Sequence, residues 1–155
     1  MPRVLIVDDE QGIRENLEEI LEAEGYEVRV AENGVDALAV LADWVPDAIL
    51  LDLMMPRIDG PTFRAHQLQR PELADIPTIG MTAYHNIMGQ ADFEVLQKPF
   101  RTEALLSLLH DYLKDRRPRR RTGPARLIRN AAIVIGGLAT LAKVIWDLLK
   151  GRKYQ

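Results

Sequence analysis

Cysteine is absent from this chain of 155 residues, which excludes disulfide bonds and thiolate metal sites and is compatible with a reducing cytoplasm. A glycine-rich phosphate loop is also absent, so the sequence does not indicate a nucleotide site. The three histidines, His66, His85 and His110, lack the spacing of metal ligands and are predicted to be ordinary surface residues. No signal-peptide pattern precedes the first strand-like run, so we expect a cytoplasmic protein.

The net charge of −3 conceals a strong asymmetry between the two parts of the chain. Residues 1–115 carry 9 Lys/Arg and 22 Asp/Glu, whereas residues 116–155 carry 11 Lys/Arg and 1 Asp/Glu. An acidic body with a basic tail predicts an anionic partner for the tail, which would be a lipid headgroup, a nucleic acid or the body itself.

Apolar runs and helical spacing alternate along the first part of the chain, which predicts an α/β domain over residues 1–115. The predicted strands are 4–7, 26–30, 47–51, 76–81 and 93–96, and Thr102 caps a last helix that extends through Lys114. The run 47–51 is apolar on both faces, as expected of a central parallel strand that helices cover on each side. Five successive strand–helix units predict a doubly wound five-stranded parallel sheet.

Polar residues stand where four of the predicted strands end. Asp8 and Asp9 follow the first strand, Asp52 the third, Thr82 the fourth and Lys98 the fifth. The carboxyl ends of parallel strands form the ligand-binding edge of an open sheet, so these side chains are expected to converge. Three carboxylates in one place predict a divalent cation, and Mg²⁺ prefers oxygen ligands. With a hydroxyl and an ammonium beside them, the set suits transfer of a phosphoryl group onto a carboxylate.

Four motifs in this order resemble those of the receiver domain of two-component response regulators. They are VLIVDDE (4–10), LDLMMPRIDG (51–60), MTA (81–83) and QKPF (97–100). The resemblance covers about the first three quarters of the chain. It implies the flavodoxin-like strand order 2-1-3-4-5, Mg²⁺ as cofactor and a sensor histidine kinase as the phosphoryl donor. It also implies a phosphoacceptor signalling domain rather than an enzyme.

The resemblance assigns the acidic residues to two tasks. Asp52 is the implied phosphoacceptor and also a metal ligand, and the backbone carbonyl of Met54 supplies a further oxygen. Successive residues at a strand end cannot both point the same way, so Asp8 and Asp9 are expected to differ in their contact with the metal. By resemblance, Asp9 is the direct ligand and Asp8 acts through a water. Glu10 is interpreted as part of a solvated turn.

Two further residues are assigned to the phosphoryl group by the same resemblance. The Lys98 ammonium pairs with the acceptor and then with a phosphoryl oxygen, a task that suits a compact point charge on a flexible stem. The hydroxyl of Thr82 hydrogen-bonds another phosphoryl oxygen. The family pattern also implies a cis peptide bond between Lys98 and Pro99. A haloacid-type phosphatase would place a second aspartate two residues after the nucleophile, where this chain has Met54.

The sequence departs from the receiver pattern in two places. Receivers usually carry an aromatic residue three positions before the lysine, where this chain has Val95. The interval from Thr82 to Lys98 is about one to two turns too short for a full helix and its loops, and Gly89 weakens what helix remains. We expect the usual signalling face to be remodelled. The alternative is a pseudo-receiver that docks proteins without being phosphorylated.

The C-terminal part changes character. Residues 116–124 contain five arginines, two prolines and a glycine, which predicts a linker, and residues 125–155 are predicted to form a hydrophobic helix. A spanning helix needs about 20 largely apolar residues, and this segment barely reaches that length. Three alternatives stay open: a transmembrane anchor that holds the arginine cluster on the cytoplasmic side, at the inner face of the cell membrane; a helix lying in the membrane interface; and a helix that self-associates or packs on the domain. The tail is too short for a helix-turn-helix domain, so no specific DNA binding is expected.

Overall fold

The computed structural model describes residues 1–84 and 93–114, where five parallel strands alternate with helices. The strands are β1 (Arg3–Val7), β2 (Glu27–Ala31), β3 (Ala48–Asp52), β4 (Thr78–Thr82) and β5 (Val95–Gln97). The helices are α1 (Gln11–Ala23), α2 (Gly34–Asp43), α3 (Gly60–Leu68), α4 (Pro71–Ala74) and α5 (Thr102–Lys114). The strand order is β2-β1-β3-β4-β5, so the predicted doubly wound sheet is confirmed.

The central strands are buried on both faces, which explains their continuous apolar sequence. Every residue of β3 is buried, as predicted for a parallel strand covered by helices on each side, and every residue of β4 is buried as well. On one face, Leu17 and Leu21 of α1 and Leu105 and Leu109 of α5 share a core with alternate residues of the strands. The opposite faces of the strands are equally inaccessible, since Leu5, for example, has no exposed surface.

Hydrogen-bonded caps fix the two helices that follow β2 and β3. The side chain of Asn33 accepts hydrogen bonds from the backbone N–H groups of Val35 (2.9 Å) and Asp36 (3.1 Å) at the start of α2. Asp59 caps α3 by accepting from Thr62 N–H at 2.8 Å. A Cβ on Gly60 would lie 2.7 Å from the Cα of Leu53, so the loop after β3 closes tightly onto the strand end.

Element boundaries differ slightly from the predictions. The second to fifth strands begin one or two residues later than predicted, and Thr102 is the first residue of α5. The short helix α4 was missed, and it is held by Gln67, a buried residue at the end of α3. The amide nitrogen of Gln67 donates to the backbone carbonyls of Leu73 and Ile76, both at 3.0 Å, and its oxygen accepts from Thr78 Oγ1 at 3.0 Å.

Several predictions lie outside the described residues. These are the shortened helix between β4 and β5 with Gly89, the position of His85, the linker 116–124 and the hydrophobic helix 125–155. Within residues 1–84 and 93–114, no helix combines the length and apolar character required to cross a membrane. Of the other histidines, His110 is exposed and His66 is partly exposed.

Candidate functional site

The carboxyl edge of the sheet brings three of the predicted residues into direct contact. The ammonium Nζ of Lys98 lies 2.7 Å from Asp8 Oδ2 and 2.7 Å from Asp52 Oδ2. The two carboxylate side chains are 0% and 6% exposed and the lysine side chain 13%, so both ion pairs are largely shielded from water. Lys98 thus joins carboxylates that lie 90 and 46 positions before it in the chain into one charged cluster.

The parallel strands position the three members of this cluster. Asp8 directly follows β1, and Asp52 is the last residue of β3, the strand paired with β1. Lys98 follows β5, and its backbone N–H donates to the carbonyl of Thr82 at 2.7 Å, which extends the pairing of β4 with β5. The Lys98–Pro99 peptide bond is cis, in agreement with what the resemblance implies.

The charge state of Lys98 follows from its surroundings. Burial of the ammonium disfavours its charged form, but hydrogen bonds to Asp52 and Asp8 and their negative charges outweigh that effect. The net result is that the pKa of Lys98 is raised above its ordinary value. The lysine is therefore a fixed positive charge at neutral pH.

One hydrogen-bond pattern recurs at three strand ends. The side chains of Asp8, Asp52 and Thr82 each accept the backbone N–H of the residue two positions later. The donors belong to Glu10 at 2.9 Å, Met54 at 2.9 Å and Tyr84 at 3.1 Å. The turns orient the three site side chains, and they place three exposed residues at the rim of the site.

The acidic residues offer a group of oxygen ligands. One carboxylate oxygen from each of Asp8, Glu10 and Asp52 lies within 4.8 Å of the other two. Oxygen donors of this kind are suited to Mg²⁺, which usually keeps several of its waters. Asp9 is exposed whereas Asp8 is fully buried, as expected for successive residues that point in different directions.

The structure brings some of the predicted site residues together and leaves others apart. Asp8, Asp52 and Lys98 converge, whereas Asp9 does not belong to the carboxylate group of the described residues. Thr82 is fully buried, and its link to Lys98 is through the backbone. Glu10 was missed as a member of the group. Its spacing of two from Asp8 was the available signal, because alternate residues of an extended segment face the same side.

The strand position that usually carries an aromatic residue in receivers is filled differently. Val95 is partly exposed and lies opposite Gly80 of β4. A Cβ on Gly80 would lie 2.8 Å from Cε2 of Phe93, so the Phe93 ring packs over this glycine. The Arg64 guanidinium of α3 lies 5.6 Å from the centre of the same ring and donates to Thr78 Oγ1 at 3.4 Å. An aromatic ring is therefore present near this strand, but it belongs to Phe93, two residues before Val95.

Known proteins with similar sequences are response regulators. The response regulator receiver domain family matches residues 4–110. Response regulator MprA of Mycobacterium avium (strain 104) is 34% identical over 159 residues, a match that covers 97% of this chain and 65% of that protein. Response regulator MprA of Mycobacterium sp. (strain KMS) is 37% identical over 124 residues, a match that covers 75% of this chain and 52% of that protein. The chain thus spans roughly half to two thirds of the length of these relatives.

Solved structures give the same result at the level of the fold. The response regulator TrrA of Thermotoga maritima, solved in complex with Mg²⁺-BeF, is 36% identical with a TM-score of 0.66. That match covers 73% of this chain and 100% of the TrrA chain. The receiver domain of sensor histidine kinase PA1611 from Pseudomonas aeruginosa PAO1, solved with magnesium in its active-site cleft, is 25% identical with a TM-score of 0.68. That match covers 74% of this chain and 98% of the PA1611 receiver chain. The chain belongs to the response regulator receiver domain family, the phosphoacceptor module of two-component systems.

Proposed function

We propose that Asp52 accepts a phosphoryl group from the phosphohistidine of a sensor histidine kinase, in the presence of Mg²⁺. The observation that carries the proposal is the Lys98 ammonium, held 2.7 Å from the carboxylates of both Asp52 and Asp8 at the carboxyl edge of the sheet. An aspartate on a rigid buried strand, with a fixed cation beside it, is suited to in-line attack on phosphorus.

In the proposed step, a carboxylate oxygen of Asp52 forms a bond to the phosphorus atom. The P–N bond to the donor histidine breaks, and its electron pair stays on the imidazole nitrogen. Lys98 then pairs with a phosphoryl oxygen. The Thr82 hydroxyl, which at present accepts a hydrogen bond from the Tyr84 N–H, rotates and donates a hydrogen bond to a second phosphoryl oxygen. Both contacts stabilise the charge on the transferred group.

The metal is proposed to be held by the acidic residues of the same edge. Bound there, Mg²⁺ would neutralise negative charge that develops on the phosphoryl oxygens. We propose Asp52, Asp9 and the backbone carbonyl of Met54 as direct ligands, with Asp8 acting through a water. Three carboxylate oxygens within 4.8 Å of one another and the magnesium reported in related receiver structures support a metal at this position.

Phosphorylation of the full-length chain by a small phosphodonor tests the assignment. Incubation with Mg²⁺ should add one acid-labile phosphoryl group, and Asp52→Asn should abolish the uptake. Asp75→Asn is the matched control, because Asp75 is an exposed aspartate next to α4 and should leave the uptake unchanged. Equal uptake by Asp52→Asn and the parent chain would contradict the proposal.

For the step that transmits the signal after phosphorylation, we propose that residues 125–155 form a helix that associates with an anionic membrane rather than with specific DNA. The proposal rests on the apolar stretch 131–142 and on the arginine-rich approach at 116–121. Anchoring by apolar area should persist at high salt, whereas attachment through arginines alone should be screened. Flotation of the full-length chain with anionic liposomes at low and high salt measures this. A chain that stays monomeric and never floats would leave the tail as an intramolecular or partner helix.

The second candidate function is a pseudo-receiver, a docking module that signals without phosphorylation. The observation in its favour is Val95, which lies opposite Gly80 where receivers usually have an aromatic residue. The same phosphodonor experiment separates the two functions. A pseudo-receiver would take up no phosphoryl group in any of the three proteins.

A further inference from the structure

Glu10 has an orientation that the proposed function does not explain. Its side chain is 66% exposed, so packing does not force it toward the site. Nevertheless Glu10 Oε1 lies 3.9 Å from Lys98 Nζ, and a Glu10 oxygen belongs to the group of carboxylate oxygens that lie within 4.8 Å of one another. The hydrogen bond from Glu10 N–H to Asp8 Oδ1 fixes the backbone of Glu10 at the rim of the site.

The lysine alone does not account for this orientation. Lys98 Nζ already has two carboxylate partners at 2.7 Å, so a third at 3.9 Å, at the limit of an ion pair, gains little. The charge of the site points to a different partner. The carboxylates of Asp8, Asp9 and Asp52 together with the Lys98 ammonium carry −2, and Glu10 brings the sum to −3, an excess of negative charge that would attract a divalent cation.

We infer that Glu10 is a metal-positioning residue, whose carboxylate accepts a hydrogen bond from a water bound to Mg²⁺. The inference rests on the proposed function, because it concerns the same metal site. Opposite ligands of an octahedral Mg²⁺ are about 4.2 Å apart, since each Mg–O distance is about 2.1 Å. The three carboxylate oxygens lie within 4.8 Å of one another, a span that a Mg²⁺ ion together with one of its bound waters can bridge. The exposed position of Glu10 is where retained waters would lie.

Calorimetric titration of the full-length chain with Mg²⁺ alone tests the role of Glu10. Glu10→Ala should weaken Mg²⁺ binding roughly tenfold, as loss of residues that orient a metal's ligands does elsewhere. Glu10→Gln keeps an acceptor oxygen without the charge and should lie between Glu10→Ala and the parent. Glu15→Ala is the matched control, because Glu15 is an exposed glutamate of α1 whose side chain accepts from Gln11.

The metal-free midpoint of thermal unfolding should be nearly the same for all four proteins, which separates a metal effect from damage to the fold. If the parent chain binds no Mg²⁺, the proposed function itself fails at its metal site. If the parent binds and Glu10→Ala matches it, the metal site stands and the role of Glu10 is refuted. Equal weakening by Glu10→Ala and Glu15→Ala would also refute it, since the effect would then be one of general charge.

Discussion

Replacing Lys98 by methionine removes the ammonium but keeps an unbranched side chain. In the native site Nζ lies 2.7 Å from one oxygen of Asp8 and 2.7 Å from one oxygen of Asp52. With an effective dielectric constant of about 20, each contact corresponds to about 6 kcal/mol of attraction before solvation is counted. Desolvation of the three charges offsets most of that attraction. We therefore expect Lys98→Met to lower the free energy of unfolding by about 3–5 kcal/mol, the usual cost of leaving a buried charge unpaired.

The pH dependence of this loss provides a second signature. The pKa of Lys98 is raised in the folded chain, so the folded state holds the proton more tightly than the unfolded state. Such a group contributes stability that is fully present below its unfolded pKa, about 10.4, and is lost as the pH rises through the folded value. The difference between the parent and Lys98→Met should therefore be steady between about pH 8 and 10 and shrink above about pH 10.4.

Urea unfolding of the full-length chain, followed by far-ultraviolet circular dichroism, measures both effects. Lys114→Met is the matched control, because Lys114 is exposed in the last turn of α5 and its loss should cost no more than about 0.5 kcal/mol. Unfolding of Lys98→Met at the same urea concentration as Lys114→Met would refute a stabilising role of the Lys98 ammonium. A difference between the parent and Lys98→Met that persists undiminished above about pH 11 would refute it as well.

Three other predictions concern the α3–α4 connection, the glycines and the metal. Gln67→Leu should lower the free energy of unfolding by at least about 2 kcal/mol in urea, because two buried carbonyls lose their donor. In the same assay Gly60→Ala should cost about 1–3 kcal/mol or more, since its Cβ would clash with backbone. Gly12→Ala, whose Cβ meets nothing within 4 Å, should be neutral or stabilising by up to about 1 kcal/mol. In calorimetry, Asp9→Asn should weaken Mg²⁺ binding more than Asp8→Asn, and an unchanged affinity for Asp9→Asn would contradict the assignment.

The fold was predictable because its signals are local and repeated. The run Ala48–Leu51 is apolar at every position, which distinguishes a central parallel strand from an edge strand. Asn33 and Asp59 mark helix starts through side chains that cap them. The helix α4 was not predictable in the same way. It is only four residues long, and its support comes from Gln67, whose partners are brought close by tertiary structure.

The sequence predicts those site residues whose position is determined by the end of a strand. Asp8, Asp52 and Lys98 converge because each lies at the carboxyl end of a parallel strand, which the sequence pattern indicates. Which carboxylates turn toward the pocket depends on the segment just after the strand, where the alternation of an extended chain places Glu10 on the same side as Asp8. The family resemblance assigned the direct metal contact to Asp9, whereas the group of neighbouring carboxylate oxygens in the described residues includes Glu10.

Locating the transferred phosphoryl group on the chain tests the central claim most directly. An aspartyl phosphate is an acyl phosphate, and borohydride reduces it to homoserine at the position that carried the group. After treatment of the full-length chain with Mg²⁺ and a small phosphodonor, peptide mapping should find homoserine at position 52, where the aspartate is buried next to Lys98. Homoserine at Asp8, Asp9 or any other acidic residue, with an unmodified Asp52, would contradict the account.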